Sequence, residues 1–308
     1  MGVAPGGAHG MAVVRTLACD TLLTCKGLCE PGLLEAAVDR GLALEATLSR
    51  TAGGSDVSRM NEARGEWVEI SAHTERLLKA AVALSCATGG AFDVAVGPAS
   101  ALWDFREGAT VPDGAALEEA SRHVDAGLIE VHEGLARLLD PEARVDLGGI
   151  AKGYMVDELV GYLREGGCEQ GIVDLGGNVS AFGEVPSGGA WSAGVADPLA
   201  AGSLAATIEL TDGALATSGV TERAFRRDGQ AYWHILDART CRPASTDIAS
   251  VSVAAPSAFL AECWSTPLLM MGAEAALAFA ESKPLLECLI VMLSGERLQT
   301  SGGRSELF

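Results

Sequence analysis

Basic charge is scarce in this 308-residue chain, where 22 Lys and Arg stand against 41 Asp and Glu for a formal net charge of −19. So acidic a surface has few cations with which to displace counterions from a polynucleotide, which excludes nucleic acid as a partner. A single nucleotide, held by local donors and a cation, is not excluded. The eight cysteines, at 19, 25, 29, 86, 168, 241, 263 and 288, form no Cys-x-x-Cys pair and no zinc-finger spacing. Several lie in apolar runs, where a free thiol packs as a small hydrophobe, and a reducing compartment fits that usage. Residues 1–11 are expected to be a flexible N-terminus; they lack the basic and long apolar regions of a signal peptide. The most apolar late window, 267–280, is interrupted by Glu274 and is too short to span a bilayer. The cytoplasm is therefore the expected location, with export or membrane anchoring expected if a leader has been removed.

No Pro/Ser-rich linker divides the chain, and its 48% hydrophobic residues are ample for a core. Residues 12–308 are expected to form a single domain, or two fused halves in one compact unit. The class expected is α+β, with mixed β-sheets and packed helices.

The only internal repeat is short. Val145-Asp146-Leu147-Gly148-Gly149-Ile150-Ala151-Lys152-Gly153-Tyr154 ends an apolar run in Asp-Leu-Gly-Gly, and Asp174-Leu175-Gly176-Gly177-Asn178 does so again. The first copy feeds a lysine and a helical pattern, which is how a chain offers bare N–H groups and a positive charge to a phosphate. Together the two copies suggest the floor of a nucleotide site. Strand, glycine turn, helix and strand in that order predict a βαβ-like unit.

Around this stretch the punctuation predicts a helix from Pro31 to about Ser49 and a polar loop from Thr51 to Asn61. A second helix is expected from Ser71 to Thr88, and a hairpin turning at Glu133-Gly134. Further on come strands over 191–216, a polar break at Thr217-Ser218-Gly219, and a hairpin at Asp228-Gly229. That hairpin leads into a strand over Ala231–Asp237 with His234 in its middle. Trp103 and Phe105 read as core, or as walls for a flat ring if other residues point to such a ligand.

Glycine turns alone match neither the dinucleotide fingerprint nor a P-loop. Joined to His234-Ile235-Leu236-Asp237-Ala238-Arg239-Thr240 and to Ala261-Glu262-Cys263-Trp264-Ser265-Thr266, they become specific. At that point the chain resembles the FAD:protein FMN transferases, the ApbE-like family once labelled thiamine biosynthesis lipoproteins. Asp20-Thr21, Ser58-Arg59-Met60-Asn61, Gly89-Gly90-Ala91-Phe92-Asp93 and Val96-Gly97-Pro98 extend the likeness over nearly the whole chain.

The resemblance implies a reaction: the FMN half of FAD passes to a threonine or serine hydroxyl of an acceptor protein, and AMP is released. It implies Mg2+ held by the Ala151 carbonyl, Glu262 and Thr266, the last two one helical turn apart. Glu262 stands where the family carries aspartate, adding roughly 1.5 Å of reach, and Pro267 is expected to bias Thr266 away from helical geometry. His234 resembles the family's base toward the attacking hydroxyl. Lys152 is expected on the pyrophosphate, with Gly148, Gly149, Gly153, Asp174, Gly176, Gly177 and Asn178 forming the floor. Asn61 and Asp93 are expected to make polar contacts to the flavin or ribityl chain, and Ser218 with Gly219 to contribute backbone contacts. Asp237 and Arg239 are expected to order the turn after His234, with Arg239 also facing a phosphate. Two alternatives stay open: hydrolysis of FAD to FMN and AMP, and a non-catalytic FAD-binding module. The sequence is compatible with a homodimer and leaves the oligomeric state open.

Overall fold

The computed structural model describes residues 11–16, 22–302 and 305–307. The flexible segment expected over 1–11 and the Asp20-Thr21 pair fall outside these residues, apart from Met11, which opens a strand. Eight strands form one sheet: β1 (Met11–Thr16), β2 (Leu22–Gly27), β3 (Gly171–Leu175), β4 (Asn178–Phe182), β5 (Gly213–Gly219), β6 (Ile248–Ala255), β7 (Glu287–Met292) and β8 (Arg297–Gln299). Their spatial order follows their order in the chain, and each neighbour pair is antiparallel. The helices arrive as insertions between strands. Between β2 and β3 lie α1 (Pro31–Leu48), α2 (Asp56–Glu62), α3 (Ala72–Ala87), α4 (Gly97–Ser100), α5 (Gly114–Ser121) and α6 (Ala151–Glu165). Between β6 and β7 lie α7 (Ala258–Met271) and α8 (Ala273–Glu281). The class is α+β, as expected.

Alternation along the strands buries both faces of the sheet. On β6, Val251 and Val253 pack with Leu268 and Leu269 of α7, and on β7 Cys288 and Ile290 join the same cluster. The intervening Leu289 and Val291 turn to the other face, as the two-residue period of a strand requires. There they meet Trp191, Val195, Ile208 and Leu210 of a small sheet built from Trp191–Ala196, Leu204–Leu210 and Ser305–Leu307. Each fully buried Leu or Val of these layers contributes about 1.5–3 kcal/mol relative to exposure. Near β2 and β3, α1 and α6 cover the sheet through Leu34, Val38, Val156, Leu159 and Leu163.

The structure corrects five local expectations. The βαβ-like unit is absent, because Val145 to Leu147 join no strand; the Val145 backbone is satisfied by the Asn61 side-chain amide, which donates to its carbonyl at 2.9 Å and accepts from its N–H at 2.7 Å. The second half of the 51–61 loop is helix α2, because Ser55 accepts from Ser58 N and Val57 and Met60 find a core. Thr217-Ser218-Gly219 is no break but the end of β5, its hydroxyls paired across to Ser252 and to α7. His234 lies between short strands Gln230–Trp233 and Leu236–Asp237, not inside one. Helix α7 runs on through Pro267, leaving Glu262 and Thr266 on one face. The proline removes the bond to the Cys263 carbonyl and crowds that carbonyl, while burial of Leu268 and Leu269 holds the following turn.

Candidate active site

The two Asp-Leu-Gly-Gly copies share four residues and adopt different backbones. In the second, Gly176 and Gly177 take positive φ of 58° and 86° and close a two-residue hairpin between β3 and β4. Asp174 stiffens that turn by accepting from Gly177 N at 2.9 Å, and burial pushes its carboxyl above the usual range. In the first copy, Asp146 accepts from Gly148 N at 3.0 Å, and the Leu147 carbonyl then accepts from Ile150 and Ala151, so the chain winds into α6.

Glu262 joins the two copies. From α7 this buried carboxylate accepts from Lys152 Nζ at 2.8 Å, from Gly153 N at 2.6 Å, and from Asn178 Nδ2 at 3.3 Å. Lys152 and Gly153 follow the first copy, and Asn178 ends the second. Gly153 admits this contact because the helices nearly touch: a Cβ there would stand 2.4 Å from the Ala258 carbonyl oxygen. The capping is reciprocal. While Glu262 satisfies an N–H in the first turn of α6, Asp157 of α6 accepts from Ala258 N and Phe259 N at the start of α7. Burial raises the Asp157 carboxyl even so.

One turn further along α7, Thr266 and Ser265 each share a hydrogen bond with Ser218 Oγ of β5 at 2.8 Å. The Asn178 Oδ1 atom is buried without a partner. The Glu262 carboxylate raises the pKa of the half-buried Lys152, keeping its ammonium charged.

His234 approaches from the other side. Its Nδ1 is buried without a partner, its backbone N–H donates to the Arg223 carbonyl at 3.1 Å, and Phe105 meets its ring edge-on with centroids 6.5 Å apart. Burial holds the imidazole below its ordinary pKa, and the charges of Arg223 and Lys152 push it the same way. Glu222 stands at the rim, where crowding raises its carboxyl against the pull of Lys152 and Arg223.

Other expected residues are spent on the scaffold. Asp93 accepts from Ser85 Oγ, Ala95 N and Ala126 N, and the amide of Asn61 is engaged by Val145, so both brace loops. Arg239 forks onto Asp237 at 2.9 and 2.6 Å, ordering the turn after His234. Gly219 pairs with Ser250 at the end of β5, and Gly149 lies where a Cβ would meet the Phe92 ring at 2.9 Å.

Glu222, Arg223 and Asp157 carry no sequence motif and were missed. Hairpin arithmetic could have found one of them. Counting outward from Asp228-Gly229 pairs Arg227 with Gln230 and Ala224 with Trp233, which sets Arg223 opposite His234.

The likeness to known proteins covers the same residues. The ApbE family model matches residues 13–290. A FAD:protein FMN transferase of Treponema pallidum is 32% identical over 277 residues, covering 84% of this chain and 76% of the relative. One from Vibrio cholerae is 34% identical over 272 residues, covering 86% and 81%. The crystal structure of the ApbE protein of Thermotoga maritima superposes with a TM-score of 0.86 at 30% identity, covering 94% of this chain and 96% of that one. Flavin transferase ApbE from Vibrio cholerae superposes at 0.81 with 28% identity, covering 95% and 98%. With sequence and fold in agreement along nearly its whole length, the chain belongs to the ApbE family.

Proposed function

We propose that this chain transfers the FMN half of FAD to a threonine or serine hydroxyl of an acceptor protein and releases AMP. The observation that carries the reading is the convergence on Glu262 of Lys152, Gly153 and Asn178, with Ser218 and Thr266 one helical turn away. The transferase names of the relatives support it. In the reaction the hydroxyl oxygen bonds to the FMN phosphorus while the phosphoanhydride bond to AMP breaks, so negative charge grows on the leaving phosphate. Lys152 offers that charge a fixed cation. The hydroxyl proton needs an acceptor, and His234, whose pKa burial holds below its ordinary value, is suited to take it.

A magnesium ion suits the oxygen donors that Glu262 and Thr266 offer one helical turn apart on α7. Among the described residues no group of three or more His, Cys, Asp or Glu side chains could hold a metal, but Mg2+ commonly takes one or two carboxylates and leaves its other positions to water and substrate phosphates. Glu262, Thr266 and the Ala151 carbonyl would hold it, and the unpartnered Asn178 Oδ1 marks an unmet demand for a donor or cation beside Glu262. When bound, the ion would neutralise pyrophosphate charge.

The test is incubation with FAD, Mg2+ and a threonine-bearing acceptor. Covalent flavin fluorescence on the acceptor is expected, whereas free FMN alone would establish hydrolysis and unchanged FAD a binding module. Glu262→Gln, which keeps an oxygen for Gly153 N but removes the charge, should cut transfer by about a hundredfold, the scale of losing a few kcal/mol of charge stabilisation. Unaltered transfer would remove Glu262 from the chemistry.

A further inference from the structure

Beside His234 lies a cleft of about 460 Å³ that the chemistry above does not use, lined among others by Trp103, Tyr232, Trp233, Arg242, Pro243 and Ser245. We propose that this cleft docks an extended, acidic segment of the acceptor polypeptide and delivers its hydroxyl to His234; the proposal rests on the transferase reading.

Position comes first. The cleft wall ends at Trp233, the residue before His234, and its Trp103 stacks on Phe105 with centroids 5.7 Å apart, while Phe105 meets the His234 ring. Two rings, Trp103 and Phe105, link that cleft to the imidazole, and along the chain Trp233 is its immediate neighbour. The backbone is suited to an added strand. Among the described residues, strand Gln230–Trp233 pairs only with Ala224–Arg227. It therefore keeps one open edge, the arrangement in which an extended peptide binds through main-chain hydrogen bonds.

Charge names the partner. The chain as a whole carries −19, yet residues 223–242 hold five arginines against two aspartates. Arg239 is spent on Asp237, and Arg227 reaches Asp228 only at 3.9 Å. Arg226 and Arg242 are exposed and have no ion pair, guanidinium hydrogen bond or ring stack among the described residues. Elsewhere acidic side chains outnumber basic ones and repel an acidic polypeptide; this hairpin and turn attract it. Such an island steers encounter and sets the direction in which the segment lies.

The test measures docking apart from transfer. Two short fluorescent peptides with a central threonine, one flanked by aspartates and one by lysines, are titrated against the full chain by anisotropy. FAD affinity is measured alongside. The aspartate peptide should bind, more weakly as salt rises, and the lysine peptide should not. Arg242→Glu and Arg226→Glu should each weaken the aspartate peptide by about tenfold or more while leaving FAD affinity unchanged, which also reports that the variants fold. Equal binding of both peptides, no binding to the unaltered chain, indifference to both substitutions, or loss of FAD affinity with them would overturn the docking site. Covalent labelling is read separately: a peptide that docks and is never flavinylated refutes the transferase reading, and labelling indifferent to Arg242→Glu refutes the docking site.

Discussion

A histidine held neutral by burial and by two neighbouring cations is a proton acceptor over a wider acid range than a free one. The ordinary imidazole value is 6.5, and His234 lies below it. If its neutral form takes the hydroxyl proton, kcat/KM should stay level as pH falls through 6.5 and decline only beneath it. Arg223→Ala, which removes a cation from beside the ring, should move that acid limb upward toward 6.5. A limb already at or above that value in the unaltered protein would take His234 out of the proton transfer. At this scale the sequence exposed residue types better than roles. Glu262 could be named from its motif, but that it caps Gly153 depends on how closely α7 approaches α6. Asn61 and Asp93 were visible as polar residues; their partners lie up to 84 residues away and turned them into braces.

Paired helices α6 and α7 are the elements that hold the site together, each supplying a carboxylate to the other's first turn. Their closeness depends on Gly153. In Gly153→Ala the new methyl would meet backbone atoms of Ala258 at 2.4 and 2.7 Å, which no side-chain rotation relieves. The helices must separate, and a cost of about 3 kcal/mol is expected in urea or thermal unfolding. Transfer should fall in the surviving folded fraction, because Glu262 loses its place; stability within about 0.5 kcal/mol of the unaltered protein would show that the contact is not needed. Element boundaries were legible where local chemistry sets them. Ser71 and Asp113 cap α3 and α5, Ser257 caps α7, and the hairpins turn at Glu133-Gly134 and Asp228-Gly229. The identical Asp-Leu-Gly-Gly runs were not separable, since one becomes a hairpin only because β2 and β4 flank β3, and the other a helix entry because Asn61 holds Val145.

For the molecule as a whole, pH should act on stability through a link that closes a loop remote from the site. His123 Nδ1 and Asp140 Oδ2 are 2.6 Å apart; the carboxylate raises the imidazole, and the imidazole lowers the carboxyl. The raised histidine contributes stability fully below its unfolded value of 6.5, lost as pH rises through the folded value. The lowered aspartate contributes above 3.8, lost as pH falls through its folded value. The pair therefore acts in full between those two values. His123→Gln should lower the melting temperature more at pH 6 than at pH 9, and an equal loss at both would exclude the ion pair as the cause. Thiols belong to this scale too: burial pushes Cys25 and Cys263 up to about 12 and Cys288 to about 11, so they pack as apolar groups. Composition, caps, turns and the ordered motifs of the sequence determined the α+β class, most helix ends and the family, because they depend on neighbours along the chain. Which glycine turn meets which carboxylate, the lowered pKa of His234 beside Arg223, and the aromatic cleft next to it were decided only in the folded molecule, where Coulomb forces and desolvation depend on distance in space.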